Sequence, residues 1–397
     1  MKKIAAFLLT SVITQNIAAQ SLIQAYKQRA DMVTQTNISN NLQEFSDLGV
    51  KTTGSTENAN TLNWLKNKYL SYGYTANQMV EDPFSFVNGS TTTYGTNLVI
   101  TKTGTLYPDK YVIICGHYDT IVGPGVSDNG SGTSILLEAA RILKDVPTEY
   151  SIKFIHFSGE EQGLEGSYHY ADNIAYQGNT RQLDIKLVIN IDQVGGKIGN
   201  QNTTITCERD TGGISSNNAA SNTATQELAT CTGLYSPLQT SISYAYSSDY
   251  MPFEAKGYTI TGFYEKIKSN NEHTVNDTLT NIDPVYVFKV GKAAVGALQH
   301  FAVASTDANN LSTAEITNQK SLDAIKIYPN PAKDTLMVEM FQKEKSFSIE
   351  INDMAGNRIL NIANQDKINV SGLKNGVYTV TIKTDKGNTT RKMVIEK

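Results

Sequence analysis

At 397 residues the chain is too long for one domain of average size, so two or three folding units are expected. With 34 basic against 38 acidic residues its net charge is −4, which speaks against partners that demand a basic surface, nucleic acid or an anionic membrane. An apolar fraction of 40% is enough for well-packed cores. The first residues have the plan of a secretory signal peptide. Met1-Lys2-Lys3 is a basic head, Ile4 to Ile13 is a mostly apolar run, and Ile17-Ala18-Ala19 precedes Gln20. Residues 1–19 are therefore expected to be removed. The apolar run falls far short of the about 20 residues of a membrane anchor, so no stable membrane span is expected.

A helical pattern follows around Asn60 to Leu70, with Leu62, Leu65 and Leu70 near helical spacing. Apolar runs rich in Val and Ile come next, at Asn97 to Thr101, Tyr111 to Cys115, Ile152 to Phe157 and Ile185 to Ile191. They do not alternate strictly, as befits strands buried on both faces. Helical stretches at Ser134 to Lys144 and Leu164 to Ile174 lie between them, and a long helix is expected over Asp283 to Ser305, with Pro284 suited to its first turn. Strand and helix in alternation predict an α/β three-layer sandwich with a mostly parallel central sheet over 20–305, with room for a short propeptide between Gln20 and about Asn40. Residues 306–321 are polar and read as a linker. From 322 to 397 no helix is convincing. Strands are predicted at Ile325 to Tyr328, Thr335 to Met340, Phe347 to Asn352, Gly376 to Lys383 and Thr389 to Ile395, separated by turns such as Asn375-Gly376. That is a small all-β sandwich. Of three cysteines, Cys115 reads as a buried strand thiol, while Cys207 and Cys231 could pair in an oxidising compartment.

Five metal-binding side chains punctuate the sheet region. They are His117 in ICGHYD, Asp128 in SDNGSG, Glu161 in SGEEQG, Asp192 in NIDQVG and His273 in EHTVND. His117, Glu161 and Asp192 each follow an apolar strand-like run, and in open α/β sheets ligands bind beyond the carboxyl ends of strands. Each motif alone is more often structural: paired glutamates are usually a solvated surface, and Asp-Asn-Gly is usually a turn. Their occurrence together, in this order and at strand ends, points instead to one site. Two imidazoles and three carboxylates, one of them shared, suit a pair of zinc ions. Glu160 stands beside a ligand and is free to move protons. Asp119, two residues after His117, could accept that imidazole's other N–H.

HYD, SDNGSG, GEEQGLEGS, NID and HTVND together resemble the di-zinc exopeptidases of metallopeptidase family 28, closest to the secreted bacterial leucyl-aminopeptidase type, over about Asn97 to Leu279. The resemblance implies His117 and Asp192 on one zinc, Glu161 and His273 on the other, Asp128 between them, and Glu160 as general base with Asp119 orienting His117. The implied reaction is removal of the N-terminal residue of a peptide: Glu160 takes a proton from a water activated by both zincs and returns it to the leaving amine. Two positions depart from the pattern. Gln193 stands where relatives often carry methionine, and is a candidate for the specificity pocket. Tyr250, in Ser248-Asp249-Tyr250, stands where they carry histidine. Tyr244, Tyr246 and Tyr264 lie in a region where a hydroxyl could help bind substrate or an oxyanion. His156, His169 and His300 lie inside a strand or helices and are expected to be structural.

In the tail, IYPNPAKDTLMVEM, NDMAGNRIL and SGLKNGVYTVTI resemble the C-terminal sorting domain of type IX secretion. This implies the type IX secretion machinery as a partner and a secreted or cell-surface location in a Gram-negative bacterium. Competing readings on the same sheet are a glutaminyl cyclase-like enzyme, though the segment after the paired acids disfavours it, and a carboxypeptidase or dipeptidase. A reading from another class is an inactive secreted binding protein.

Overall fold

The computed structural model describes residues 21–306, 326–339, 347–353, 358–384 and 387–397. The expected signal peptide, nearly all of the expected linker, and the ends of two tail strands at Ile325 and Met340 lie outside these residues. The chain divides into two compact units at Thr306/Asp307.

The first unit is built on an eight-stranded sheet. Its strands are β1 (Met79–Asn88), β2 (Thr91–Lys102), β3 (Tyr107–His117), β4 (Tyr150–Phe157), β7 (Asp184–Ile191), β8 (Thr204–Arg209), β9 (Gln239–Tyr244) and β10 (Ile260–Glu265), in the order β1-β2-β4-β3-β7-β10-β8-β9. Two-residue strands β5 (Tyr176–Gln177) and β6 (Thr180–Arg181) form a separate hairpin. The central four strands, β4-β3-β7-β10, run parallel, while β1, β2 and β8 join antiparallel and β9 pairs parallel with β8.

The parallel strands bury both faces because their apolar residues supply two cores at once. Val112 and Ile114 of β3, with Ile152 and Phe154 of β4, point into one. Ile113 and Cys115, with Ile155 and Phe157, point into the other. The first core is covered by α1 (Gln24–Ala30), α2 (Gln35–Asp47), α3 (Thr56–Ser71), α4 (Gly132–Leu143), α6 (Asn218–Tyr235) and α8 (Pro284–Phe301). The second is covered by α5 (Glu165–Tyr170), α7 (Met251–Ala255) and the chain around them. Three layers result, as the alternation of elements predicts.

Two features bear on points that the sequence leaves open. The segment considered as a propeptide is part of the first core. Val33 and Ile38 of this segment are buried, and burial of such side chains contributes about 1.5–3 kcal/mol each. Arg29 of α1 donates to the Ser305 carbonyl at 2.7 Å and to Gln299 at 3.2 Å, tying this segment to the far end of α8. Cys207 and Cys231 are buried free thiols, as is Cys115; both pack as apolar side chains in the first core and form no disulfide.

The second unit is all antiparallel in its named strands. A three-stranded sheet has β12 (Thr335–Glu339) between β11 (Lys326–Tyr328) and β15 (Lys367–Asn369). A four-stranded sheet runs β14 (Arg358–Ala363), β13 (Phe347–Asp353), β16 (Gly376–Thr384), β17 (Gly387–Ile395). Leu336, Val338 and Ile368 from the first, with Ile349, Ile351, Val380, Ile382, Met393 and Ile395 from the second, share one core.

Candidate metal centre

Three neighbouring parallel strands end at one edge of the sheet, and each delivers a ligand-type residue there. β3 ends on His117, β4 runs into the turn carrying Glu160 and Glu161, and β7 is followed at once by Asp192. Asp128 comes from the turn before α4, which is pressed against the end of β7. A Cβ on Gly132 would lie 2.2 Å from the Ile191 carbonyl oxygen, so only glycine permits this approach. Gly166 likewise sets the Glu160 turn against β2, since its Cβ would fall 2.3 Å from Asn97 Oδ1. His273 lies in the loop after β10, with φ +56°, and is half-exposed, whereas His117, Asp128 and Asp192 are buried.

These residues form two triads, His117 with Glu160 and Asp192, and Asp128 with Glu161 and His273. Within each, one candidate ligand atom per residue lies within 4.8 Å of the others. Asp128 divides its carboxylate between them. Its Oδ1 is 3.1 Å from His117 Nε2, and its Oδ2 is 3.2 Å from His273 Nε2. Around these, Asp192 Oδ1 is 3.3 Å from His117 Nε2, and Glu161 Oε2 is 2.9 Å from His273 Nε2. Glu160 Oε2 stays 3.9 Å from His117 Nε2, inside the cluster but farther than the other acids.

The surrounding hydrogen bonds aim these groups. His117 Nδ1 faces the backbone carbonyl of Asp119 at 3.1 Å, while the Asp119 carboxylate lies 3.7 Å from that nitrogen. The carboxylate instead accepts the amides of Glu160 and Glu161, both at 3.3 Å. Asp119 thus orients His117 through its main chain and the paired acids through its side chain, which sequence spacing does not distinguish. Tyr246 and Ser248 both donate to Asp192 Oδ2, at 2.6 and 2.7 Å, leaving Oδ1 turned to the cluster. Gln193, at φ +46°, donates to Asp128 Oδ2 at 2.8 Å and accepts the Tyr264 hydroxyl at 3.0 Å. Asp277 accepts the amides of Ser127 and Asp128 at 2.7 and 3.0 Å.

Of the four residues predicted for substrate binding, Tyr246, Gln193 and Tyr264 are therefore engaged with the cluster or one bond removed from it. Tyr244 is not: it is exposed on edge strand β9, and its hydroxyl accepts from Arg209 at 2.9 Å. Sequence reasoning missed Asp277, although it closes the same HTVND string as His273, because a carboxylate four residues past a ligand carries no signal of what it will face. It also missed the hydroxyl of Ser248. Tyr250 is fully buried and donates to Glu208 at 2.6 Å, so it braces the second core, not the cluster itself. The other three histidines have structural partners: His156 with Tyr69 at 2.9 Å, His169 with Asp82 at 3.1 Å, His300 with Tyr235 at 2.6 Å.

The electrostatics match a cation-binding donor set. Burial, with the charges of Asp192, Asp249 and Asp128, holds the Glu160 carboxyl well above the usual range despite the opposing His117. Burial and Asp128 push Glu161 up to about 8. Hydrogen bonding to Asp128 is the main cause that raises His273 to about 9. Burial opposes charge on Asp128, yet the two imidazoles hold it well below the ordinary value. Without a cation the cluster balances its acids with protons on His and Glu; dications would displace those protons. Carboxylate and imidazole donors of this kind fit zinc by ligand type.

Residues 97–297 match the model of peptidase family M28, and residues 326–396 match that of a secretion system C-terminal sorting domain. Among curated proteins, the chain is 46% identical over 90 residues to aminopeptidase YwaD of Bacillus subtilis, covering 22% of this chain and 19% of that protein. It is 35% identical over 118 residues to a probable zinc metalloprotease of Pyrenophora tritici-repentis, covering 28% and 26% respectively. The matched stretches thus span less than a third of either relative. Among solved structures, an aminopeptidase from Aneurinibacillus shares the fold with a TM-score of 0.59 at 17% identity, covering 70% of this chain and 96% of that one.

Proposed function

Because the chain belongs to peptidase family M28, we propose that it is a secreted zinc-dependent aminopeptidase holding two zinc ions per catalytic domain. The observation that carries this reading is the division of the Asp128 carboxylate between two imidazole-bearing triads. His117 and Asp192 would hold one ion, Glu161 and His273 the other, and Asp128 both. Zinc, when bound, supplies Lewis acidity toward the scissile carbonyl and toward water.

The chain's own residues do the rest. Glu160 is mostly buried at the rim of the first triad and farther from His117 than the ligand acids, which leaves its carboxylate for proton transfer. It takes a proton from the attacking water; as the C–N bond breaks, it gives that proton to the departing amine. Asp119 fixes the approach of Glu160 by accepting its amide. Tyr246 and Ser248 keep Asp192 pointing through one oxygen, whereas Gln193, tied to Tyr264, steadies the Asp128 carboxylate by donating to Oδ2, the oxygen that faces His273. His273 is the half-exposed member of the cluster, and a peptide is expected to enter from its side with its N-terminal amine toward the acids.

Mass analysis of products from a leucine-headed peptide, free or N-acetylated, tests the activity. Loss of one leading residue from the free peptide alone is expected. Cleavage of both would point to a carboxypeptidase or endopeptidase, and cleavage of neither to a cyclase or an inactive binding protein.

We further propose that residues 1–19 are a signal peptide, 20–305 the catalytic domain with its N-terminal helices retained, 306–321 a linker, and 322–397 the signal read by the type IX secretion machinery. The match of residues 326–396 to a secretion sorting domain supports this. Among the described residues no helix is long and apolar enough to cross a membrane. Deleting 322–397 should abolish release from the cell and spare aminopeptidase activity in extracts. Full release of the shortened chain would contradict the assignment.

A further inference from the structure

Within the proposed two-ion centre, the ligands are steadied by different neighbours. Asp192 is held by Tyr246 and Ser248, His117 by the Asp119 carbonyl, and the amide of Glu161 by the Asp119 carboxylate. For Asp128 and His273 the shared support is Asp277, which is buried and lies four residues beyond His273.

Three consecutive amides end on this residue. Val126 donates to its carbonyl at 3.2 Å, Ser127 to Oδ1 at 2.7 Å, and Asp128 to Oδ2 at 3.0 Å. Its own amide donates to the Thr274 carbonyl at 3.2 Å, closing the turn that begins just after His273. The two loops are in backbone contact, since a Cβ on Gly123 would lie 2.0 Å from the Thr274 carbonyl oxygen. From behind, the fully buried Lys51 ammonium donates to the carbonyls of Pro124 at 2.9 Å and Gly49 at 2.6 Å, fixing the start of the Asp128 turn. The Asp128 and His273 loops are thus joined by one carboxylate, bonded to one loop and covalently part of the other.

We propose that Asp277 is the positioning residue of the Asp128–Glu161–His273 half of the centre, so that ion affinity in this half, where it fixes both Asp128 and His273, depends on it more steeply than affinity in the His117–Asp192 half, which it reaches only through the shared Asp128. The inference rests on the two-ion reading above. Supports of a ligand typically carry about 10–100-fold in metal affinity. Asp277→Asn keeps the side chain's size but offers one acceptor oxygen where two amides need one each.

The test is zinc titration of the metal-free full chain against a chromophoric chelator, for the wild type, Asp277→Asn and Asp277→Ala. The variants are expected to hold one ion about 10–100-fold more weakly than the wild type and the other with a clearly smaller loss. Wild-type affinity for both ions, or equal weakening of both, would overturn the proposal. A wild type that binds fewer than two ions would instead overturn the two-ion reading. If neither variant folds, amide exchange in the metal-free wild type decides. Slow exchange at Val126, Ser127 and Asp128 is expected of a preformed clamp, and fast exchange there would overturn it.

Discussion

Replacing Glu160 by glutamine should lower kcat on the order of 10²- to 10⁴-fold, the usual span for loss of a general base. Glutamine is nearly isosteric but cannot take a proton, so both the deprotonation of water and the protonation of the leaving amine fail together. KM and metal content should change little, because Glu160 Oε2 stands 3.9 Å from His117 Nε2 and the amide that fixes its backbone is untouched by the substitution. Steady-state kinetics with metal analysis on the same preparation checks this. Near-normal kcat would remove Glu160 from the mechanism; loss of metal would make it a ligand.

Asp128→Asn should have the larger effect on metal. Supporting residues around a ligand carry about 10–100-fold in affinity, and a carboxylate shared by both triads should exceed that. The substitution removes one negative charge between two imidazoles 3.1 and 3.2 Å away and turns one oxygen into an N–H₂ group that cannot coordinate. Loss of both ions, and of activity with them, is the expected result of metal analysis after gel filtration. Retention of one ion at wild-type affinity would mean that Asp128 serves a single triad.

Much of this architecture could be read from the residues, and the failures have identifiable causes. Strands β3, β4 and β7 announce themselves because both faces are buried and Val, Ile and Phe dominate runs interrupted only by Lys153, His156, Lys186 and Asn190. Their carboxyl ends then locate His117, Glu160, Glu161 and Asp192 without any knowledge of tertiary contacts. Helix α2 carries a weak local signal although Ile38, Leu42 and Phe45 recur at helical spacing, because Ser39, Asn40 and Asn41 stand between the first two. Helix α6, rich in Ala, Ser and Thr, and strand β8, only six residues long, carry similarly weak local signals. The supporting shell was legible only in part. Asp119 and Gln193 attract notice by adjacency to ligands, but which of their atoms does the work depends on backbone direction. Asp277 and Ser248 act across the fold, on partners 149 and 56 residues away, and no local pattern encodes that.

Metal content of the purified wild-type chain is the most direct test of the central claim. Two zinc ions per chain, both removed by a chelator with loss of activity and both restored together with it, is the predicted result. One ion per chain in a fully active enzyme would contradict the shared role of Asp128, and activity that survives removal of all metal would contradict the account as a whole.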